Sequence, residues 1–359
     1  MKGFRFICVL SVLLTVGGRH ASAQFLYATA GKANLQTSTL ENIMLLQNVR
    51  DVDYSCPDCQ TWFTGYGFGG FADGISTGSA EAAEVIDPVT ENKSDLTIYD
   101  SHYTQATGGF LLGGDKNFSD SCRAGLFFAY NNNVQESVAI TPFLQTTQRI
   151  NMHNYFWGGY GRKDFRRCYL MGTLAGGYSR LGETVRYQPD DLIPDNNAKT
   201  GSWRALTYGE IGTEIRIGRS LFQPFWGIQY FYNGYDNAVF TVEGSTLTEF
   251  APLKTNSLRN ILGIRYARDL LHTTQGFLKF DCLGFWYHEY LSNEDMGIAK
   301  IQANEAQQAT AVYSGRDWAV IAPTLTYRNN NWRIWAGYIV MFNEYETINL
   351  GQGGIALCF

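Results

Sequence analysis

From Gln60 to the C-terminus, apolar side chains alternate with polar or small ones over segments longer than ten residues. Only an extended strand sends successive side chains to opposite faces, so this period means strands with two different surroundings. From Phe222 to Tyr232, Phe222, Pro224, Trp226, Ile228, Tyr230 and Tyr232 share one face, and Gln223, Phe225, Gly227, Gln229 and Phe231 the other. Ile211, Ile215 and Ile217 oppose Tyr208, Glu210, Glu214 and Arg216 in the same way, and Leu262 and Ile264 oppose Arg259 and Arg265. Segments of this kind fall at 60–69, 103–116, 121–133, 148–163, 167–184, 202–217, 220–237, 256–269, 275–290, 316–328, 331–345 and 349–359. Most exceed the ~5–6 residues common in soluble sheets and reach the ~9–11 that a tilted strand needs to cross a bilayer. An open sheet of these strands would leave unpaired edges, which lipid does not tolerate. The predicted fold is therefore all-β, a twelve-stranded antiparallel transmembrane β-barrel.

The connections support closure in a membrane. Phe118-Ser119-Asp120, Lys163 to Arg166, Gly218-Arg219 and Asn329-Asn330 read as tight turns. The stretches 70–102, 134–147, 185–201, 238–255 and 291–315 read as long loops, with 238–255 apolar enough to continue as strand. Outer-membrane barrels sort short turns to the periplasmic side and long loops to the outside.

The N-terminus reads as an export signal. Lys2 and Arg5 precede a short apolar run, and Ala21-Ser22-Ala23 is an A-x-A cleavage site before Gln24. Residues 1–23 are thus expected to be removed, which leaves 25 basic against 33 acidic residues, a net charge of −8. No basic stripe remains, which argues against nucleic-acid binding. Residues 24–57 form a short leader. Within it Ser38-Thr39-Leu40-Glu41 has capping-box form, and Leu35, Thr39, Ile43, Leu46 and Val49 recur at helical spacing. The spacing predicts one helix over 38–51, with the barrel domain spanning 58–359. Cys56 and Cys59 lie close enough for a small disulfide loop or for two idle thiols; no βαβ pattern surrounds them to make a redox pair.

Composition fits a chain that is not bathed in water on all sides. Charged residues are 17% where soluble domains average about 25%, and aromatics reach 15%. The tryptophans near strand ends fit the aromatic girdles of a membrane barrel. Glu210, Glu214, Arg216, Arg259, Arg265, Lys279, Asp281 and Glu289 fall on the polar strand faces. A charge facing lipid at mid-depth costs about 2–4 kcal/mol, so all eight are expected in the lumen. They could line a pore that guides a peptide or ions; a network of ion pairs that fills the barrel and anchors a helix is the preferred reading. His288-Glu289 has the composition of a base and its orienter, but neighbours on a strand point to opposite faces. No nucleophile, nucleotide, metal or cofactor motif is present, so no enzyme and no cofactor are expected. The competing reading is a secreted soluble all-β protein, a binding protein or glycosidase.

Several stretches, in order, resemble one family. They are Tyr99-Asp100-Ser101 followed by Gly108 to Asp115, then Cys122 to Tyr130, Leu221 to Tyr230 and Ser257 to Arg265, then Trp286-Tyr287-His288-Glu289-Tyr290 and the terminal Ile355 to Phe359. From Trp62 to Phe359 the chain resembles the autotransporter β-domain, the translocator of type V secretion. The resemblance implies a twelve-stranded barrel with an α-helix in its pore, at the place of the 38–51 helix. It also implies an outer-membrane location, a monomeric barrel in contact with outer-membrane lipid, and a C-terminal aromatic, Phe359, read by the barrel assembly machinery. The family's long passenger has no counterpart in 24–37, so the expectation is a translocator-like or pore-forming barrel without a sizeable passenger. The helix also lacks the Asn-Asn pair at which some relatives cleave.

Overall fold

The computed structural model describes residues 35–47, 49–50, 59–72, 84–86, 93–95, 100–140, 145–188, 196–236, 238–242, 245–250, 254–273, 276–291, 296–301, 306–310, 316–329, 331–344 and 347–358. The signal sequence, Cys56 and Phe359 lie outside them. Twelve long strands make the wall: β1 (Cys59–Ala72), β2 (Asp100–Ser119), β3 (Cys122–Ile140), β4 (Gln145–Asp164), β5 (Cys168–Gln188), β6 (Asn196–Thr213, continued by Ile215–Ile217), β7 (Ser220–Tyr235), β8 (Lys254–His272), β9 (Gly276–Glu289), β10 (Asp317–Asn329), β11 (Trp332–Phe342) and β12 (Thr347–Cys358). Each pairs antiparallel with the next, and β1 pairs with both β2 and β12, so the sheet closes and no wall edge is left.

At one end the strands are joined by two or three residues: 120–121, 165–167, 218–219, 273–275 and 330–331. Gly218 turns the chain there with φ of +60°, which a side-chain-bearing residue adopts only at a cost. At the other end the expected loops are partly strand. β3 and β4 pair as far as Ile140 and Gln145, and β5 and β6 as far as Val185 and Asn196, so 134–147 and 185–201 are not long loops. Two short hairpins, Ala238–Val242 with Ser245–Phe250 and Met296–Ile301 with Ala306–Thr310, continue the sheet and pair with each other through Thr248 and Ile301. A third, Glu84–Ile86 with Lys93–Asp95, stands apart from the wall.

The alternation sorts side chains as lipid requires. Ile211, Trp226, Ile228, Tyr230, Leu262 and Ile264 point outward and are exposed, while Gln223, Gln229, Arg259 and Arg265 point inward and are buried. Leu126, Leu174, Ile321, Leu325, Ile334 and Ile355 extend the apolar outer face around the wall. A soluble protein exposing so broad an apolar belt would aggregate, and the secreted soluble reading is not favoured. The girdle expectation needs correction for three tryptophans: Trp62, Trp318 and Trp335 are buried inside, whereas Trp157, Trp203, Trp226 and Trp286 face out.

The helix occupies residues 35–47, with 49–50 also helical, and residues 36–46 are all buried. Three turns buried on every side mean a helix surrounded by protein. It starts before Ser38, so the capping box is a misreading: Ser38 and Glu41 lie in the helix interior. Leu40, Ile43, Met44, Leu45, Leu46 and Val49 join one core with inward residues of the wall, among them Phe225, Ile261, Tyr287, Val320 and Leu350. The inner face is therefore not simply polar; every strand of the wall adds apolar side chains to that core. Where Ile43 and Leu46 meet Phe225, Ile261 and Phe285, the gap is about 10 Å³, at the lower limit for a single water.

Candidate functional site: the helix-filled lumen

The helix is held by side chains from around the wall. At its N-terminal half, Asn133 on β3 donates to Thr37 Oγ1 at 3.2 Å, and Arg204 on β6 donates to Ser38 Oγ at 2.8 Å. Glu41 accepts from the Tyr66 hydroxyl of β1 at 2.8 Å and from Asn131 Nδ2 of β3 at 2.7 Å, with Arg204 at 3.9 Å. A buried carboxylate is costly unless paired and hydrogen-bonded, and Glu41 has both. Thr39 donates to the Leu35 carbonyl one turn back and accepts from Arg259 Nη1 of β8 at 2.6 Å. Gln47 accepts from Gln352 Nε2 of β12 at 2.5 Å.

The C-terminal half carries the strongest electrostatics. Arg50 pairs with Glu210 on β6, its Nε donating at 3.2 Å, and stacks over Phe225 at 4.4 Å. Glu210 also accepts from the hydroxyls of Tyr169 and Tyr208. The Arg50 carbonyl accepts from Arg162 Nη1 at 3.2 Å and Arg265 Nη1 at 2.7 Å. Two guanidiniums thus satisfy the last described carbonyl of the helix, and positive charge there suits the dipole of the turns before it.

The eight charges expected in the lumen separate into groups. Glu210, Arg265, Asp281 and Glu214 sit together beneath the helix: Arg265 Nε donates to Asp281 at 2.6 Å and Nη1 to Gln223 at 2.8 Å, and Gln223 Nε2 donates to Glu214 at 2.6 Å. Arg259 and Glu289 form a second buried pair at 2.7 Å, with Ser257 and the Leu258 amide also donating to Glu289. Lys279 is half-buried at the mouth of the short-turn end. Arg216 is placed differently: it lies on the rim with its side chain 75% exposed, 3.8 Å from Glu214. At this last, exposed stretch of β6 the wall no longer encloses it. His288 faces away from Glu289 and meets Asp317 at 2.9 Å, so the dipeptide is no acid–base pair.

Other members escaped the sequence reading. Asp115 accepts from Arg123 Nε at 2.5 Å, the Tyr160 hydroxyl at 2.6 Å and Gln60 Nε2 at 3.1 Å, and Trp62 Nε1 donates to that same hydroxyl at 2.9 Å. This cluster ties β1 to β4 inside the barrel. Arg162 bridges Asp164 and Glu214 at 2.6 and 2.7 Å. All share the inward phase of their strands, so the alternation that marked Glu210 and Arg265 marks them too. Cys59 is free, as in the idle-thiol alternative for this pair, and Cys358 at the end of β12 is disulfide-bonded. Cys56 lies outside the described residues.

A barrel closed by twelve strands, filled by an N-terminal helix and ion-paired to it, can be compared with known proteins. The sequence profile described as Autotransporter beta-domain matches residues 90–339. The chain belongs to the autotransporter β-domain family. As an autotransporter β-domain it is an outer-membrane protein. The translocator domain of the autotransporter NalP from Neisseria meningitidis superposes with a TM-score of 0.67 at 12% identity, covering 94% of this chain and 100% of that one. The transport unit of AIDA-I from Escherichia coli gives 0.56 at 14% identity over 86% and 93%. The beta domain of the Bordetella autotransporter Brka gives 0.54 at 11% identity over 84% and 100%. At such identities the likeness speaks for the fold. No curated protein matches the sequence.

Proposed function

We propose that this autotransporter β-domain is a translocator-type barrel whose lumen is held closed by its own helix, with no catalytic step. The carrying observation is the helix itself. Residues 36–46 are buried on every side, and Arg50 is locked to Glu210, Arg162 and Arg265. The eight charges expected in the lumen serve, on this reading, mainly to seat the helix. The wall alone, with charged and amide side chains inside and apolar ones outside, has the makings of a channel. Membership of the family and the outward aromatic and aliphatic belt support outer-membrane lipid as its surroundings. The terminal Phe359 is proposed as the residue read by the barrel assembly machinery, and the wall, which closes on itself, works as a monomer.

Planar-bilayer recording tests the closed state. The full chain is expected to stay silent at moderate voltage, and a chain lacking 24–57 to conduct in steady steps. Identical silence from both would defeat the helix as plug. Detergent dependence tests the setting: a folded band that migrates faster on unboiled gels is expected, and a monodisperse protein without detergent would overturn it.

A further inference from the structure

The alternation of the wall also sorts its cysteines. Cys59, Cys122, Cys168 and Cys282 are free thiols. They share the outward phase of their strands with Phe63, Leu126, Leu170 and Trp286, all exposed. Among the described residues, Cys358 is the one cysteine of inward phase, in step with the buried Gln352 and Ala356, and it is disulfide-bonded. Its partner is therefore none of the four free thiols. Cys59 shows why the nearest of them does not serve. It adjoins Gln60, which pairs with Cys358 across the β1–β12 seam, but successive residues of a strand point to opposite faces. The sequence holds two further cysteines, Cys8 and Cys56.

Cys8 belongs to 1–23, the stretch expected to be removed on export. Cys56 belongs to the connection that the chain makes from Arg50, inside the lumen, to Cys59, where β1 begins at the short-turn end. Cys358 stands at that same end, where its amide donates to the Asn331 carbonyl at 2.9 Å beside the turn into β11. Cys56 precedes Gln60 by four residues, a reach of up to about 14 Å. Bridged Cα atoms lie only ~5.5–6 Å apart. We propose that Cys358 is bonded to Cys56, a disulfide that staples the connection between helix and β1 to the last strand of the wall. In forming it, two S–H bonds break and one S–S bond is made. Two protons leave, and two electrons pass to a disulfide-bearing oxidant, which is reduced to a dithiol. The bond encloses all twelve strands in one covalent loop, and a long loop restricts the unfolded chain most. The site goes beyond the closed-pore reading, since it concerns how the wall is fastened and not whether it conducts.

Peptide mapping of the full chain tests the site without any variant. The protein is extracted in nonionic detergent without reductant, its free thiols are blocked with N-ethylmaleimide, and the digest is read by mass spectrometry. A linked pair of peptides carrying Cys56 and Cys358 is expected, and it should vanish on reduction. Cys358 blocked as a free thiol, or linked to Cys8 or to any other cysteine, overturns the proposal. Variants test the staple by a second route, through the temperature at which the fast-migrating folded band is lost without reductant. Cys56→Ser and Cys358→Ser should lower it equally, by at least about 5 °C, and the double variant no further. Cys59→Ser should leave it unchanged. Separate losses that add in the double variant, or no loss in either single one, would count against the bond.

Discussion

The guanidinium of Arg50 rests against the carboxylate of Glu210, 160 residues further along the chain, and both side chains are sealed from solvent. Removing one member of a buried pair strands the other charge, at a cost of about 3–5 kcal/mol. Glu210→Ala is therefore expected to destabilise the filled barrel by that amount. Arg50→Met with Glu210→Leu, which removes both charges, is expected to cost less than Glu210→Ala alone. The midpoint temperature at which the fast-migrating folded band disappears on gels measures both.

The apolar core between helix and wall makes a separate prediction. Met44 is 1% exposed within the helix–wall core. Met44→Asp would set an unpaired carboxylate there, several kcal/mol unfavourable by the usual cost of buried charge. The helix should leave its seat while the wall persists. Bilayer recordings of the full-length variant should then resemble those of the 24–57 deletion; a silent variant with a folded wall would refute the apolar seat.

Depth in the membrane separates two outward isoleucines. Ile264 lies near the middle of β8, and Ile217 beside the Gly218 turn. Ile264→Arg is expected to cost about 2–4 kcal/mol and Ile217→Arg about 0–1 kcal/mol. Equal costs in refolding titrations into vesicles would contradict the placement of lipid around the wall.

At Gly218 the positive φ asks for a residue without Cβ, and open space surrounds it. Gly218→Val should cost about 1–2 kcal/mol through backbone strain alone, and Gly218→Asn less, because asparagine tolerates this region. Unfolding midpoints of the two variants compare them directly.

Alkylation of the unfolded, unreduced chain followed by peptide mapping reads the thiols. Cys59, Cys122, Cys168 and Cys282 are expected to be modified at once, and Cys358 only after reduction. Immediate labelling of Cys358, or protection of Cys59, would reverse the assignment.

The wall was legible because a one-residue slip in a strand exchanges its faces. Where lipid lay on one side and the lumen on the other, as from Phe222 to Tyr232, that exchange is forbidden and the pattern is sharp. Past Val134 and Thr184 the alternation is broken by Glu136 and Arg186, so contrast fades and the strands extend further than it predicts. The inward apolar residues were hidden for a related reason. Phe225 and Phe231 face the helix, yet next to Trp226 and Tyr230 they merely look like part of an apolar run. Ser38 and Glu41 misled by resemblance: the spacing that caps a helix also aims two polar groups at Arg204 and Asn131. The pairing of Arg162 with Glu214, or Arg123 with Asp115, depends on which strands adjoin and in what register. A single strand's pattern carries no information about its neighbours.

The guanidiniums that donate to the Arg50 carbonyl set an order of events. The helix precedes every described strand, but the groups that receive Arg50 lie 112, 160 and 215 residues downstream. Contacts that span so much sequence form late, because the intervening loops must close before any gain is realised. A segment synthesised ahead of every described strand is thus seated last, and the lumen it fills stays unfilled until β8 has taken its place.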